Sequence, residues 1–228
     1  MDEEFCILVD ESDNACGFAS KRDCHLNSRI FVTDGSAPLL HRAFSVLLFD
    51  ESNQLLLQRR ADDKITFGGH WTNTCCSHPL HGRTPDESDG ARGACIAAVR
   101  KLEHELGIAP SDALLAALRP VTRVRYAARS DATWGENEVD YILLLRVRRA
   151  DAPLALNANE VSHTQWVTRD RMRDLLTDGT TLTPWFRLLC EHFLFAWWDE
   201  LERQDGKLDI DFTFDPVVHS FFDGKSAE

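Results

Sequence analysis

Between Ala91 and Leu106 apolar residues recur at Cys95, Val99, Leu102 and Leu106, at spacings of four, three and four, and Gly107 follows directly. That periodicity predicts an amphipathic helix with one buried face, closed by a C-terminal glycine. On either side lie apolar runs too short for helices. Phe5–Asp10, Ala43–Phe49, Gln54–Gln58, Val121–Ala127, Glu138–Arg146 and Thr164–Val167 read as strands. The Asp50–Asn53 stretch between the second and third of these is a hairpin signal. Further helices are predicted over Thr168–Leu176 and from Thr183 to about Arg203, the second with Pro184 in its first turn. Residues 20–40 read as irregular and polar, and a loop rich in Gly, Pro and Asp runs from His81 to Gly90. Strands and helices that alternate irregularly predict an α/β or α+β fold with a mixed sheet.

The chain has 228 residues, enough for one domain with extensions or for two, and 43% hydrophobic residues supply a core. Its net charge of −12 is uneven. Residues 1–13 hold six acids and no base, residues 199–228 hold nine acids and three bases, and residues 14–198 are balanced. A pI near 5.2 argues against nucleic acid or an anionic membrane surface as the main partner. No apolar run reaches the roughly 18 residues of a membrane span. The start, Met1-Asp2-Glu3-Glu4, has the wrong charge for a secretory or transit signal, so a soluble cytoplasmic protein is expected. Seven cysteines without a CxxC pair predict reduced thiols, most of them packed in the core. Cys75 and Cys76 are adjacent, so at most one points into any one pocket.

Three groups of residues carry possible chemistry. Glu136 and Glu138 open a strongly apolar strand and share one face, where two like charges need a cation or a proton between them. Two solvated acids at a strand entrance are the plainer reading of that pair. His25, His41 and His78 lack zinc-finger spacing, so a metal site would have to be assembled from distant segments. Three histidines with two glutamates would suit a six-coordinate divalent ion such as Zn²⁺ or Mn²⁺. Lys101 and Glu105, four apart on the predicted helix, read as an ordinary surface ion pair.

The run Arg100, Leu102, Glu105, Gly107, Ile108 resembles a degenerate Nudix box, with Lys101 and His104 where the full box has acids. Those departures argue against a diphosphate hydrolase. Around it stand Lys21–His25 (KRDCH), Leu40–Ser45 (LHRAFS), Thr72–Pro79 (TNTCCSHP), Trp134–Val139 (WGENEV) and Thr183–Trp185 (TPW). In this order and spacing they are similar to the type 1 isopentenyl-diphosphate isomerases, over about residues 5–200.

The resemblance implies a Nudix-like mixed β-sheet sandwiched between helices, in a single domain over 1–204 with its core at about 40–190. Residues 205–228 then form an acidic and aromatic extension. It implies metal-dependent interconversion of isopentenyl and dimethylallyl diphosphate, in isoprenoid biosynthesis. By the same resemblance Cys76 is the catalytic thiol, Glu138 the carboxylate opposite it, and Tyr126 a hydrogen-bond partner of that acid. Trp185 matches an indole beside the cationic intermediate. His25, His41, His78, Glu136 and Glu138 match ligands of one tightly bound divalent ion (Zn²⁺, Mn²⁺ or Mg²⁺). Glu105 matches a second, diphosphate-associated Mg²⁺ site. Lys21, Arg60, Lys64, Ser77 and Lys101 match the phosphate-holding positions. The implied partner is a small prenyl diphosphate, and a monomer or weak homodimer is expected.

Two departures stand out. Gly68 occupies a family proline position in ITFGGHW, and His70 replaces a usual non-histidine. The tail, with Ile210, Phe212, Phe214, Val217, Val218, Phe221 and Phe222 among acids, has no counterpart and is expected to wrap the domain or mediate a dimer. A Nudix hydrolase and a non-catalytic diphosphate-binding module are the competing readings.

Overall fold

The computed structural model describes residues 3–221; Met1 and Asp2 of the acidic start, and Phe222 with the rest of the tail, lie outside the described residues. Ten strands join one mixed sheet: β1 (Phe5–Val9), β2 (Ala15–Ser20), β3 (His41–Asp50), β4 (Leu55–Arg60), β5 (Trp71–Thr72), β6 (Cys75–Ser77), β7 (Arg119–Arg129), β8 (Gly135–Val147), β9 (Val161–Val167) and β10 (Val218–Ser220). The main path runs β10-β7-β8-β3-β1-β2, and β3 also pairs with β4 and β6. Strand β3 runs parallel to β8 with His41 opposite Glu138, and antiparallel to β6 with Ser45 opposite Cys76. Both strands are buried along nearly their whole length, which explains their continuous apolar sequence.

Helices cover both faces: α1 (Lys21–Cys24), α2 (Asn27–Ile30), α3 (Gly90–Leu106), α4 (Asp112–Ala117), α5 (Arg169–Thr177), α6 (Pro184–Leu189) and α7 (Phe195–Arg203). One core packs Leu47, Phe49, Leu144 and Trp198 with α5, α6 and α7. The other packs Phe44, Val46, Leu143 and Leu145 against Ala94, Ala98, Leu102 and Leu106 of α3. The expected α+β sandwich is thus present. Gly107 closes α3 at φ 72°, its N–H bonded to Glu103 O at 2.9 Å; a Cβ there would lie 2.7 Å from that of Ala155.

Two local expectations change, and one of two alternatives for the tail is met. Residues 20–40 are not wholly irregular: Ser20 caps α1 by accepting the Asp23 N–H at 3.0 Å, and α2 follows. These helices are single turns, too short to leave a periodic apolar signal. The helix expected over 183–203 is interrupted by a π-helical turn, Cys190–Leu194. Its wider turn keeps Leu189 and Cys190 on the same buried side as Leu194, Trp198 and Leu201. The tail returns to the body: β10 adds to β7 in parallel, and Phe221 N–H bonds to Arg125 O at 2.8 Å.

All seven cysteines are free, and Cys75 and Cys76 point to opposite cores as strand alternation requires. Asp13 pins the β1–β2 turn to the sheet. It accepts from Arg42 Nε at 2.8 Å, Arg123 Nη1 at 3.1 Å and the Tyr141 hydroxyl. Arg42, only 3% exposed, loses its counter-charge in Asp13→Ala. The expected destabilisation is about 3–5 kcal/mol, read as a lower urea midpoint; an unchanged midpoint would deny the cluster any structural weight.

Candidate active site

Four chain segments meet at one end of β3. The C-cap of α1 is His25, and its backbone carbonyl accepts from Gly135 N–H at 2.9 Å, which fastens it beside the start of β8. His41 opens β3, His78 follows β6, and Glu136 and Glu138 stand two apart on β8. One ligand atom from each of these five lies within 4.8 Å of the others, and all five residues are buried. Distant segments therefore assemble the His/Glu set, and the two glutamates are not solvated.

The hydrogen bonding of this cluster is incomplete in a telling way. His25 Nδ1 donates to Lys21 O at 2.5 Å, which aims Nε2 at Glu136 Oε2, 2.9 Å away. Both ring nitrogens of His41, Nδ1 of His78 and Oε2 of Glu136 have no hydrogen-bond partner. His41 Nε2 sits 3.5 Å from Glu138 Oε1, and His78 Nε2 lies 2.7 Å from the same oxygen. Buried polar atoms are rarely left unmatched. Nitrogen and carboxylate donors converging without partners fit a divalent cation.

The charges within the cluster compensate one another. Burial raises the Glu138 carboxyl, but His41 and the Tyr126 hydroxyl outweigh it and hold the group below the ordinary carboxylate range. Tyr126 stands directly across from Glu138 on β7 and donates to Oε2. Burial likewise raises Glu136, and the His25 charge more than reverses this. Burial lowers the His41 ring, yet Glu138 lifts it to about 9.

Beside the cluster opens a cavity of about 280 Å³. It is lined by Cys76, Glu138, Tyr126 and Trp185, by Lys21, Arg60, Lys64, Ser77 and Lys101, and by His25, His78, Glu136 and Glu105. Of the catalytic, phosphate-holding and metal-ligand positions that the resemblance implies, only His41 is not on that lining; it is fully buried. Burial pushes the Cys76 thiol up to about 12, against the pull of the Arg60 guanidinium, whose Nη1 lies 3.8 Å from Sγ. Burial thus favours the thiol over the thiolate at Cys76. Arg60 also sits 5.7 Å from the centroid of the Trp185 ring.

The Lys101–Glu105 pair departs from the expectation of a surface ion pair. The two are 7% and 4% exposed, 3.1 Å apart, with Gln58 Nε2 donating to Glu105 at 3.2 Å. Their helix face points into the molecule. Gly68 also has a structural reason: a Cβ there would lie 2.4 Å from Asp62 O, so glycine permits the tight 62–70 loop that carries Lys64. His70 is half-buried, Nδ1 bonding to Gly68 O at 3.0 Å, and does not line the cavity.

Glu160, overlooked in the sequence, reaches the cavity rim from the loop before β9. It meets Lys64 Nζ at 2.5 Å, Lys101 Nζ at 3.7 Å and His104 Nδ1 at 3.6 Å. Nothing in NANEVS marks it, because its partners lie on other elements. Asp140 continues the period-two series of Glu136 and Glu138 and is likewise buried; Ser45 Oγ donates to it at 2.8 Å. Burial raises Glu160, but Lys101 and Lys64 hold it at about 2, from 4.5. Its folded-state pKa is depressed, so its contribution is present above about 4.5 and lost as pH falls towards 2. Urea midpoints measured across that window should fall less steeply in Glu160→Gln than in the parent; equal slopes would remove Glu160 from the acid response.

A NUDIX domain profile matches residues 39–188. The fold is similar to that of a Deinococcus radiodurans protein, with a TM-score of 0.54 at 17% identity, covering 82% of this chain and 98% of that one. A NUDIX hydrolase from Alicyclobacillus acidocaldarius aligns with a TM-score of 0.50 at 14% identity, covering 75% and 97%. These likenesses speak for the fold alone; together with the profile they define a NUDIX-domain protein.

The isopentenyl-diphosphate delta-isomerase of Phaffia rhodozyma is 48% identical over 212 residues, 92% of this chain and 82% of that one. Isopentenyl-diphosphate Delta-isomerase 1 of Mus musculus is 46% identical over 204 residues, 88% and 86%. The chain belongs to the isopentenyl-diphosphate delta-isomerase family.

Proposed function

We propose that this protein interconverts isopentenyl and dimethylallyl diphosphate by moving protons on and off the allylic carbons. The observation that carries this reading is that Cys76 and Glu138 line one small cavity beside a buried His/Glu cluster. One of the pair gives a proton to the terminal alkene carbon, a tertiary cation forms at the neighbouring carbon, and the other removes a proton from the next methylene. The reverse reaction exchanges the roles, which suits two weak acids each able to hold or release one proton. Tyr126 orients the Glu138 carboxylate, and the Trp185 ring presents a π face to the developing positive charge without acting as a nucleophile.

His25, His41, His78, Glu136 and Glu138 would hold one divalent ion, Zn²⁺, Mn²⁺ or Mg²⁺. When bound it supplies the positive charge that lets two buried carboxylates share a site and sets the acidity of Glu138. Glu105, beside Cys76 on the cavity wall, is the proposed protein ligand of a Mg²⁺ that accompanies the diphosphate. Lys21, Arg60, Lys64, Ser77 and Lys101 bind the phosphate oxygens through charge-assisted hydrogen bonds, so the alkene is presented to Cys76 and Glu138. Among the described residues no helix is long and apolar enough to cross a membrane. The reading includes a cytoplasmic setting and a monomer or weak homodimer.

The test is turnover of isopentenyl diphosphate followed by NMR, with and without a chelator. Conversion to dimethylallyl diphosphate, lost on chelation and restored by divalent metal, is the expected result. Release of inorganic phosphate or pyrophosphate instead of isomerisation would replace this reading with that of a hydrolase.

A further inference from the structure

The nitrogen of the Trp185 indole points into a sealed polar network. Trp185 is 3% exposed, and its Nε1 donates to Asn73 Oδ1 at 3.1 Å. The carboxamide of Asn73 is saturated: Oδ1 also accepts from Thr72 Oγ1 at 2.8 Å, and Nδ2 donates to Cys75 O at 2.9 Å and Val46 O at 3.2 Å. Thr72, Asn73 and Thr183 have no exposed surface. With its proton committed to Asn73, Thr72 Oγ1 receives that of Thr183 Oγ1, 2.8 Å away. These partners fix which way the amide faces. Flipping it would set an NH₂ against the indole N–H and its oxygen against two carbonyls.

A fixed acceptor on the indole nitrogen does two things. It holds the ring plane, together with Phe67, which meets the ring edge-to-face at a centroid distance of 5.3 Å. It also draws the N–H proton outward and leaves the π face richer in electrons, which strengthens its attraction for a cation in a dry site. The bond to Cys75 O ties that same carboxamide to the strand carrying Cys76.

We propose that Asn73 is a positioning residue for the isomerisation, fixing and polarising the Trp185 indole towards the cationic carbon and locking it in register with the Cys76 strand. This rests on the reading that the indole faces that cation, and goes beyond it by naming the group that sets the ring.

The test combines spectroscopy with kinetics on the whole protein. The indole ¹H–¹⁵N signal that vanishes in Trp185→Phe belongs to Trp185. In Asn73→Ala it should move upfield and exchange faster with water, while kcat falls about tenfold, the worth of one lost neutral hydrogen bond, at unchanged KM. Asn73→Ala combined with Trp185→Phe should be no slower than Trp185→Phe alone. Asn73→Ala takes a donor from the buried carbonyls of Cys75 and Val46, the second of which keeps the Thr74 N–H at 3.1 Å, and could fail to fold. A second protein therefore carries 3-benzothienylalanine at position 185, which keeps the bicyclic shape and puts sulfur in place of the N–H; a loss of at least tenfold is expected. An unmoved indole signal in Asn73→Ala, additive losses in the double variant, or wild-type kcat for the benzothienyl protein overturns the role of Asn73. Wild-type kcat in Trp185→Phe overturns the role of the indole itself, and is distinguishable because it leaves the indole–Asn73 signal intact in the parent protein.

Discussion

Cys76→Ala should lower isomerisation by about 10⁴-fold, the upper range for removing a general acid or base, while leaving metal content and stability close to those of the parent. The separation follows from position. Cys76 is half-buried on the cavity wall, and it is outside the five-residue His/Glu set. Burial favours its protonated thiol, so alanine removes the proposed proton carrier without stranding a charge. Its neighbour Cys75 faces the α3 side, fully buried, and cannot substitute. Metal analysis and thermal melting on the same preparation check the second half of the expectation. Full turnover in Cys76→Ala would end its assignment as the proton carrier.

Glu138→Gln should differ in kind, losing turnover and metal together. Glu138 is met by His78, His41 and Tyr126 at once, and it alone belongs both to the cluster and to the proposed catalytic pair. The amide keeps the shape but not the charge, so one proposed ligand charge is lost and His41 loses the carboxylate that raises its pKa. Metal affinity should fall by more than the roughly 10–100-fold seen when only an outer partner of a ligand is removed. Competition with a chelating dye would measure it. Glu136→Gln offers the contrast: it should weaken the metal while leaving a carboxylate beside Cys76, so excess metal should restore part of its turnover. A Glu138→Gln protein that binds metal as tightly as the parent would remove Glu138 from the ligand set.

The sequence by itself determined the secondary elements with strong periods. Helix α3 with its glycine stop, the buried strands β3 and β8, and the alternation that sends Cys75 and Cys76 to opposite sides all follow from spacing. These are local properties: a period of 3.6 or 2 and a left-handed cap need no distant partner to be read. Residue types and motif order likewise single out most of the side chains that line the cavity. Burial and convergence were decided only by tertiary structure. The Lys101–Glu105 pair looks like a surface contact in one dimension and is buried in three, because α3 turns that face onto β4 and the cavity. Glu160 carries no local signal, since the cations it meets come from a loop and a helix that folding brings to it. The three histidines become one cluster only because parallel pairing of β3 with β8 sets His41 opposite Glu138, and β6 delivers His78 on the other side of β3. A His/Glu cluster of this kind is a property of strand register, and register joins residues far apart along the chain.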